Sequence, residues 1–399
     1  MKNIYCSLLL GFTLLGTIAQ AQYADDNVTI HDNRKAKDPF KAGKKSKNTG
    51  KNDRKVYTTI SLTDFDLEKK IPEGMDISNI LVINAVSDSS LLGYVQTGPL
   101  SRWQEAVPDK PYTAYLQSYV DRRYRSMYKK DAAQLVWVIQ ELRIGERTFG
   151  MNEKGFLRLK AIVYTGNRNG TFKWLTQLDT VLVKGNLDIA HKHEENITEA
   201  LHILLEQSLT KGLLLQKEDS LVYTLSTIRE KALQRYQKPV LQSKEHADGI
   251  YLTFEEFIND QPSVKNITYS LEHNTVRFFN TDSNGKKTFI DTLWGVRKNG
   301  LLLKQYYNLL IPIEQRQNSI VVKDYLSLVR SKNNANLSYI PLVIGGGFIG
   351  GAIIGGAIGA ATSRPAVTGV LPTVDNIPYI GKKPPFATEV DIETGEFTL

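Results

Sequence analysis

Two histidines one residue apart, with carboxylates close by, are the side chains best suited to hold a zinc ion. The chain has one such cluster: His191-Lys192-His193, then Glu194 and Glu195, with His202 and Glu206 further on. If the loop folded back, His191, His193 and His202 would be weak metal candidates. No recognised ligand spacing is matched, and histidines beside a helix start ordinarily face solvent. Glu255, Glu256 and Asp260 place carboxylates beside an aromatic stretch. They could do acid–base work, and they fit equally well as the polar face of a short helix. Gly-x-Ser-x-Gly, a phosphate-binding glycine loop and a dinucleotide fingerprint are all absent from the sequence. No catalytic residue and no cofactor is therefore assigned. The enzyme alternative, a secreted hydrolase or metal-dependent enzyme, rests on the His191/His193 region alone.

The rest of the chain narrows the setting. Its 399 residues are 41% hydrophobic and 23% charged, values that exclude collagen-like, wholly disordered, coiled-coil and polytopic membrane classes. The net charge of +8 suggests nucleic acid. However, the ten basic and three acidic residues between Asp32 and Lys55 carry +7 of it and Lys2 the remainder, so everything else sums to zero. The helical pattern at 112–130 mixes tyrosine with arginine, but its stripe assigns several tyrosines to a core, and nucleic acid is not an expected partner.

Residues 1–21 read as a signal peptide. Lys2 precedes the apolar stretch Leu8–Leu15, and Ala19-Gln20-Ala21 fits a cleavage site that leaves Gln22 as the mature start. Cys6, the one cysteine, departs with the leader, so disulfides, thiolate metal sites and a cysteine nucleophile are unavailable. The expected location is the cell envelope, either periplasmic or membrane-anchored.

Residues 22–55 are expected to form a disordered basic arm, either attached to an anionic surface or serving as a solvated linker. An α+β domain is expected over 56–238. It has a buried strand at 79–86, an amphipathic helix at 112–130 and strands at 134–144, 156–164 and 172–183, the last two joined by a turn at Gly166–Gly170. Helices follow at about 194–209 and 219–237. The expected fold class is α+β, an N-terminal mainly antiparallel sheet with helices on one face, followed by a small all-β module and a glycine-zipper helix. The turns at Ser283-Asn284-Gly285 and Lys298-Asn299-Gly300 support a β meander over 247–330, after a polar linker at 237–248.

Gly249-Ile250-Tyr251-Leu252-Thr253-Phe254-Glu255-Glu256-Phe257, followed at a distance by Thr292-Leu293-Trp294-Gly295 and then Leu301–Tyr307, resembles a module of uncharacterised secreted and envelope proteins of Bacteroidota. It covers about residues 247–330. The resemblance implies an origin and an envelope location and carries no chemistry, because its motifs are aromatic and structural. The first domain looks, in element order only, like the small αβ domains of bacterial envelope accessory proteins.

Ile340–Ala361 is a run of twenty-two residues without a polar side chain. At about 1.5 Å per residue a helix of that length spans a hydrocarbon core of about 30 Å. Gly347, Gly351, Gly355 and Gly359 recur every four residues, the pattern of a glycine zipper on which a second helix can approach closely. Glycine opposes a helix in water by about 1 kcal/mol each relative to alanine; in lipid, a helix is the single-segment way to satisfy the backbone. A transmembrane, self-associating helix is therefore expected. A glycine-rich helix packed on the protein's own domains, or a loop, is the alternative. The expected partners are a membrane, a second copy of the chain and another envelope protein. The tail 362–399 contains several prolines, and its last stretch, Phe386–Leu399, alternates enough to add a strand to a sheet edge, its own or a partner's. The resulting reading is a non-enzymatic cell-envelope protein, a membrane-associated scaffold or binding module.

Overall fold

The computed structural model describes Phe40, residues 57–330 apart from short stretches (98–101, 150–151, 168–169, 187–188, 190–191, 215–220, 273–274 and 308), and residues 371–374 and 384–399. The signal peptide, the arm except Phe40, His191 and the segment 340–361 with Gly347, Gly351, Gly355 and Gly359 lie outside the described residues. The described residues all belong to one compact unit.

The chain begins with β1 (Tyr57–Ile60), β2 (Ile77–Asn84), β3 (Gly93–Thr97) and β4 (Arg102–Pro108), followed by α1 (Tyr112–Tyr124). Three long strands, β5 (Ala133–Phe149), β6 (Asn152–Gly166) and β7 (Thr171–Asn186), lead into α2 (His193–Leu214), β8 (Val222–Thr224), α3 (Leu225–Gln234) and α4 (Pro239–Gln242). Together β1–β8 make a mixed sheet in the order β1-β4-β3-β5-β6-β7-β8, with β2 also paired to β5. It is mixed rather than mainly antiparallel because β1/β4, β2/β5 and β3/β5 pair in parallel. β2 and β3 share one edge of β5 in succession, and the register shift between Ile139 and Glu141 falls where one gives way to the other. At that handover only glycine fits at position 93: its φ is +145°, and a Cβ would lie 1.9 Å from the Ile144 carbonyl oxygen.

One face of this sheet is apolar in strict alternation. Leu135, Trp137 and Ile139 of β5 and Leu157, Leu159, Ala161 and Val163 of β6 are buried under α1 and α2. The α1 stripe is the expected one: Leu116, Tyr119, Val120 and Tyr124 are buried, with Tyr112 and Tyr115 extending it. Its arginines are used locally. Arg122 donates to the carbonyls of Leu62 and Phe65, and Arg123 to those of Leu67 and Lys69, tying down an irregular stretch that has no ladder of its own. In contrast to the expected one-sided arrangement, α3 packs Ile228 and Ala232 on the opposite face, against Val136 and Val138.

The second half supplies β9 (Gly249–Tyr251), α5 (Phe254–Ile258), β10 (Tyr269–Glu272), β11 (Thr275–Thr281), β12 (Lys287–Ile290), β13 (Gly295–Lys298), β14 (Leu301–Tyr306), β15 (Leu309–Arg316) and β16 (Ser319–Val322). The C-terminal residues add β17 (Glu389–Val390) and β18 (Phe397–Thr398). A seven-stranded antiparallel sheet runs β18-β17-β16-β15-β14-β13-β9, and β10–β12 form a separate three-stranded sheet. The tail thus adds its strand pair to an edge of its own chain. The layers continue through a second core that joins Tyr94, Trp103 and Phe156 of the first sheet to Ile311, Ile313, Ile320, Val390 and Phe397 of the second. Tyr236, Val240 and Leu241 lie in that same core, so packing is continuous across the stretch 237–248. On the far side Ile250, Val296 and Leu303 pack on the small sheet, where Phe40 of the basic arm is buried against Tyr269 and Phe278.

Candidate functional site

Of the sequence-predicted histidines, His191 lies outside the described residues, and the structure does not bring His193 and His202 together. His193 is fully buried at the start of α2, and its Nε2 lies 2.5 Å from Glu146 Oε1 on β5. The other oxygen of Glu146 accepts the backbone N–H of Gln96 at 2.7 Å, so this pair pins the helix start to the sheet. His202 lies nine residues later on the same helix, about 13 Å away along its axis, which is too far to share an ion. Burial holds its imidazole below the ordinary value. Among the described residues no group of three or more His, Cys, Asp or Glu side chains could hold a metal ion.

The carboxylates near α5 have local partners. Thr253 caps the helix by accepting the Glu256 N–H, and Glu256 Oε2 accepts the N–H groups of Leu252 and Ser263. Burial pushes the Glu256 carboxyl up, but these hydrogen bonds outweigh it and the net displacement is downward. Asp260 accepts the Tyr251 hydroxyl at 2.9 Å and pairs with His246 Nδ1 at 3.0 Å.

Two further clusters emerge only in the fold. The first is a charged seam where the C-terminal strands cross the polar face of the large sheet. Alternation on β5 and β6 points Glu141, Arg143, Arg158 and Lys160 away from the helices, into this seam. Arg158 makes a two-pronged bond to Asp179 (3.1 and 2.9 Å), donates to Thr398 Oγ1 at 2.7 Å and lies 3.4 Å from Glu141 and 3.6 Å from Asp391. Arg143 donates to Glu389 at 3.1 Å and to the carbonyls of Asp88 and Leu91. Glu393 is held by Lys160 and Arg235. The carboxylates Glu141, Asp179, Glu389, Asp391 and Glu393 outnumber the cations Arg143, Arg158, Lys160 and Arg235. Burial, opposed by Arg158 and reinforced by Asp391 and Glu389, pushes the Glu141 carboxyl up from 4.5 to about 7.

A carboxyl whose folded pKa exceeds its unfolded one binds the extra proton in the folded state. Its favourable contribution is therefore complete below pH 4.5 and is lost as pH rises to about 7. The swing is on the order of 3 kcal/mol. Glu141→Gln, which cannot ionise, is expected to leave stability near pH 5 little changed and to raise it at pH 8 by up to about that amount. Urea unfolding at the two pH values measures this; an equal effect at both would contradict it.

The second cluster is an aromatic cleft of about 250 Å³, lined by Lys304, Gln305, Tyr306, Tyr307, Thr373, Glu396 and Phe397. The aromatic residues of the two sequence motifs do not line it, but Lys304 in its wall lies against one of them, Trp294. Phe257 stacks on Trp294 with ring centres 3.9 Å apart, and Phe254 lies 5.7 Å from the same indole. Trp294 Nε1 donates to the Gly395 carbonyl at 3.2 Å. Gly395, at φ +75°, could not carry a Cβ, which would fall 2.5 Å from the Phe254 ring. Lys304 comes up from β14 beside this stack, only 5% exposed, with Nζ 5.0 Å from the ring centres of both Trp294 and Phe397. Burial, partly offset by Glu396, holds its amine below the ordinary 10.5. Sequence reading placed 301–307 in a strand and overlooked this lysine. The signal was its alternation, since Leu302, Lys304 and Tyr306 share the face that Leu302 buries in the second core.

The chain matches no family model and no curated protein.

Proposed function

We propose that this is an exported, non-enzymatic cell-envelope protein, a scaffold or binding module for another envelope component, held at a membrane and self-associating through residues 340–361. The observation that carries the reading is the apolar stretch 340–361 with its glycines in phase, and the folded body limits how that stretch can attach. β16 and β17 pair directly, Ile320 with Val390 and Val321 with Glu389. The last described residue before the segment, Arg330, donates to the Trp103 carbonyl at 2.8 Å, and the first described residues after it, Leu371 and Val374, lie in the second core. Both ends therefore lie on one body and on one side of any membrane. A single one-way crossing is incompatible with that ladder, so the proposed attachment enters and returns on the same face. No described helix is long and apolar enough to cross a membrane. Self-association is supported by the glycine repeat itself, with Gly347, Gly351, Gly355 and Gly359 in phase.

Cell fractionation tests this. The full chain is expected to stay with membranes through salt and carbonate washes, and a chain lacking 340–361 is expected to become soluble. Labels placed near residue 284 and at the C-terminus should be reached from the same side. A full chain that is soluble and monomeric after a salt wash would refute the attachment.

A further inference from the structure

We propose that the cleft beside Lys304 binds a small carboxylate carried on a flat apolar body, with the Lys304 ammonium pairing with the carboxylate and the ring resting against the wall that Tyr306 and Phe397 form. The site is independent of the membrane attachment. A lysine ammonium is almost never fully buried unless it is paired, yet Lys304 is 5% exposed and has no hydrogen bond or ion pair among the described residues. Its neighbours are the ring faces of Trp294 and Phe397, which attract a cation but accept none of its hydrogen bonds in the manner of an oxygen. Three N–H donors are thus held in a low-dielectric wall of an open cleft, where a carboxylate would satisfy them.

The walls restrict what carries that carboxylate. Tyr306 stands edge-on to Phe397 at 5.5 Å, its hydroxyl fixed 2.7 Å from Thr373 Oγ1. Tyr307 continues the aromatic wall from the two-residue turn between β14 and β15, with the positive φ, 52°, that such hairpin turns use. The volume, about 250 Å³, is below the usual range of about 300–1,000 Å³ for ligand pockets. That suits one substituted ring and excludes a nucleotide. Lys304 is the single cation among the lining residues and Glu396 opposes it, so a single negative charge placed on Lys304 is the most the cleft can hold and a phosphate dianion would be repelled.

Isothermal titration of the purified mature chain with benzoate tests the assignment, with acetate, benzyl alcohol and inorganic phosphate as comparison probes. Benzoate is expected to bind with a Kd of about 1 mM or tighter, and each comparison probe at least about tenfold more weakly. Lys304→Met exchanges a buried cation for an apolar chain of similar length and does not threaten folding; it should weaken benzoate about tenfold or more and leave benzyl alcohol unchanged. Glu396→Gln, at an exposed position, should tighten benzoate about two- to threefold by removing a like charge. Absence of benzoate binding, binding that survives Lys304→Met, or acetate or phosphate binding as tightly as benzoate would each overturn the proposal.

Discussion

Ending the chain at Lys383 is expected to abolish the cooperative folding of the second sheet. The sixteen residues removed, 384–399, contribute Ala387, Val390, Ile392, Phe397 and Leu399 to the core between the two sheets, all at most 6% exposed. Burying each of the four larger side chains is worth about 1.5–3 kcal/mol, so the loss is on the order of 8 kcal/mol, comparable with the whole stability of about 5–15 kcal/mol of a folded domain. The electrostatic consequence has the same sign. Arg143 loses Glu389, Lys160 loses Glu393, and Arg158 loses Thr398 and Asp391. The large sheet keeps its helix-side core, which contains no residue beyond Leu209. Near-ultraviolet circular dichroism of the purified protein should therefore lose on truncation the contribution of the aromatic residues in the second core, while that of Trp137 and the α1 tyrosines and the far-ultraviolet helix signal persist. A truncated chain that melts within a few degrees of the full one would show that the tail only decorates the fold.

The same residues show what could be read along the chain and what could not. Strand alternation in Gln134–Ile144 and Phe156–Tyr164 and the α1 stripe were legible because each depends on local periodicity, and the Asn167–Gly170 turn closes the β6–β7 hairpin with Gly170 at φ +74°. β1, β3 and β4 were not foreseen. They are short, and β3 is buried from Gly93 to Gln96, so it shows no polar alternation to detect. Alternation also placed Glu141, Arg143 and Arg158 on the polar face, where an antiparallel sheet ordinarily meets water. Nothing within those strands reveals that residues 389–398, more than two hundred positions later, cover that face. Lys304 is the same problem reversed: a strand lysine looks solvent-exposed until Trp294 and Phe397 close over it. The chemistry was obscure because it is assembled from pairs distant in sequence, while the elements that carry it were local.

Arg158→Met is expected to be the most damaging single substitution in the seam, and its cost should depend on pH. The guanidinium is 9% exposed and serves Glu141, Asp179 and Asp391, whose side chains are 13%, 46% and 5% exposed. Asp179 can turn to water when Arg158 is gone, but Glu141 and Asp391 cannot. Removing one partner of a buried pair costs about 3–5 kcal/mol because the other charge stays behind. Asp179→Asn, which removes the partner nearest solvent, should cost under about 1 kcal/mol. The dependence on pH follows from the direction in which Glu141 is displaced. With its pKa already raised to about 7, it holds a proton at pH 5 even in the intact seam, so less uncompensated charge remains when Arg158 is removed. At pH 8 it is ionised and the full cost appears. Unfolding by urea should therefore show a larger loss for Arg158→Met at pH 8 than at pH 5, and the difference should shrink when Glu141→Gln is combined with it. An equal loss at both pH values would mean that packing of the arginine stem, rather than its charge, secures the tail to the sheet.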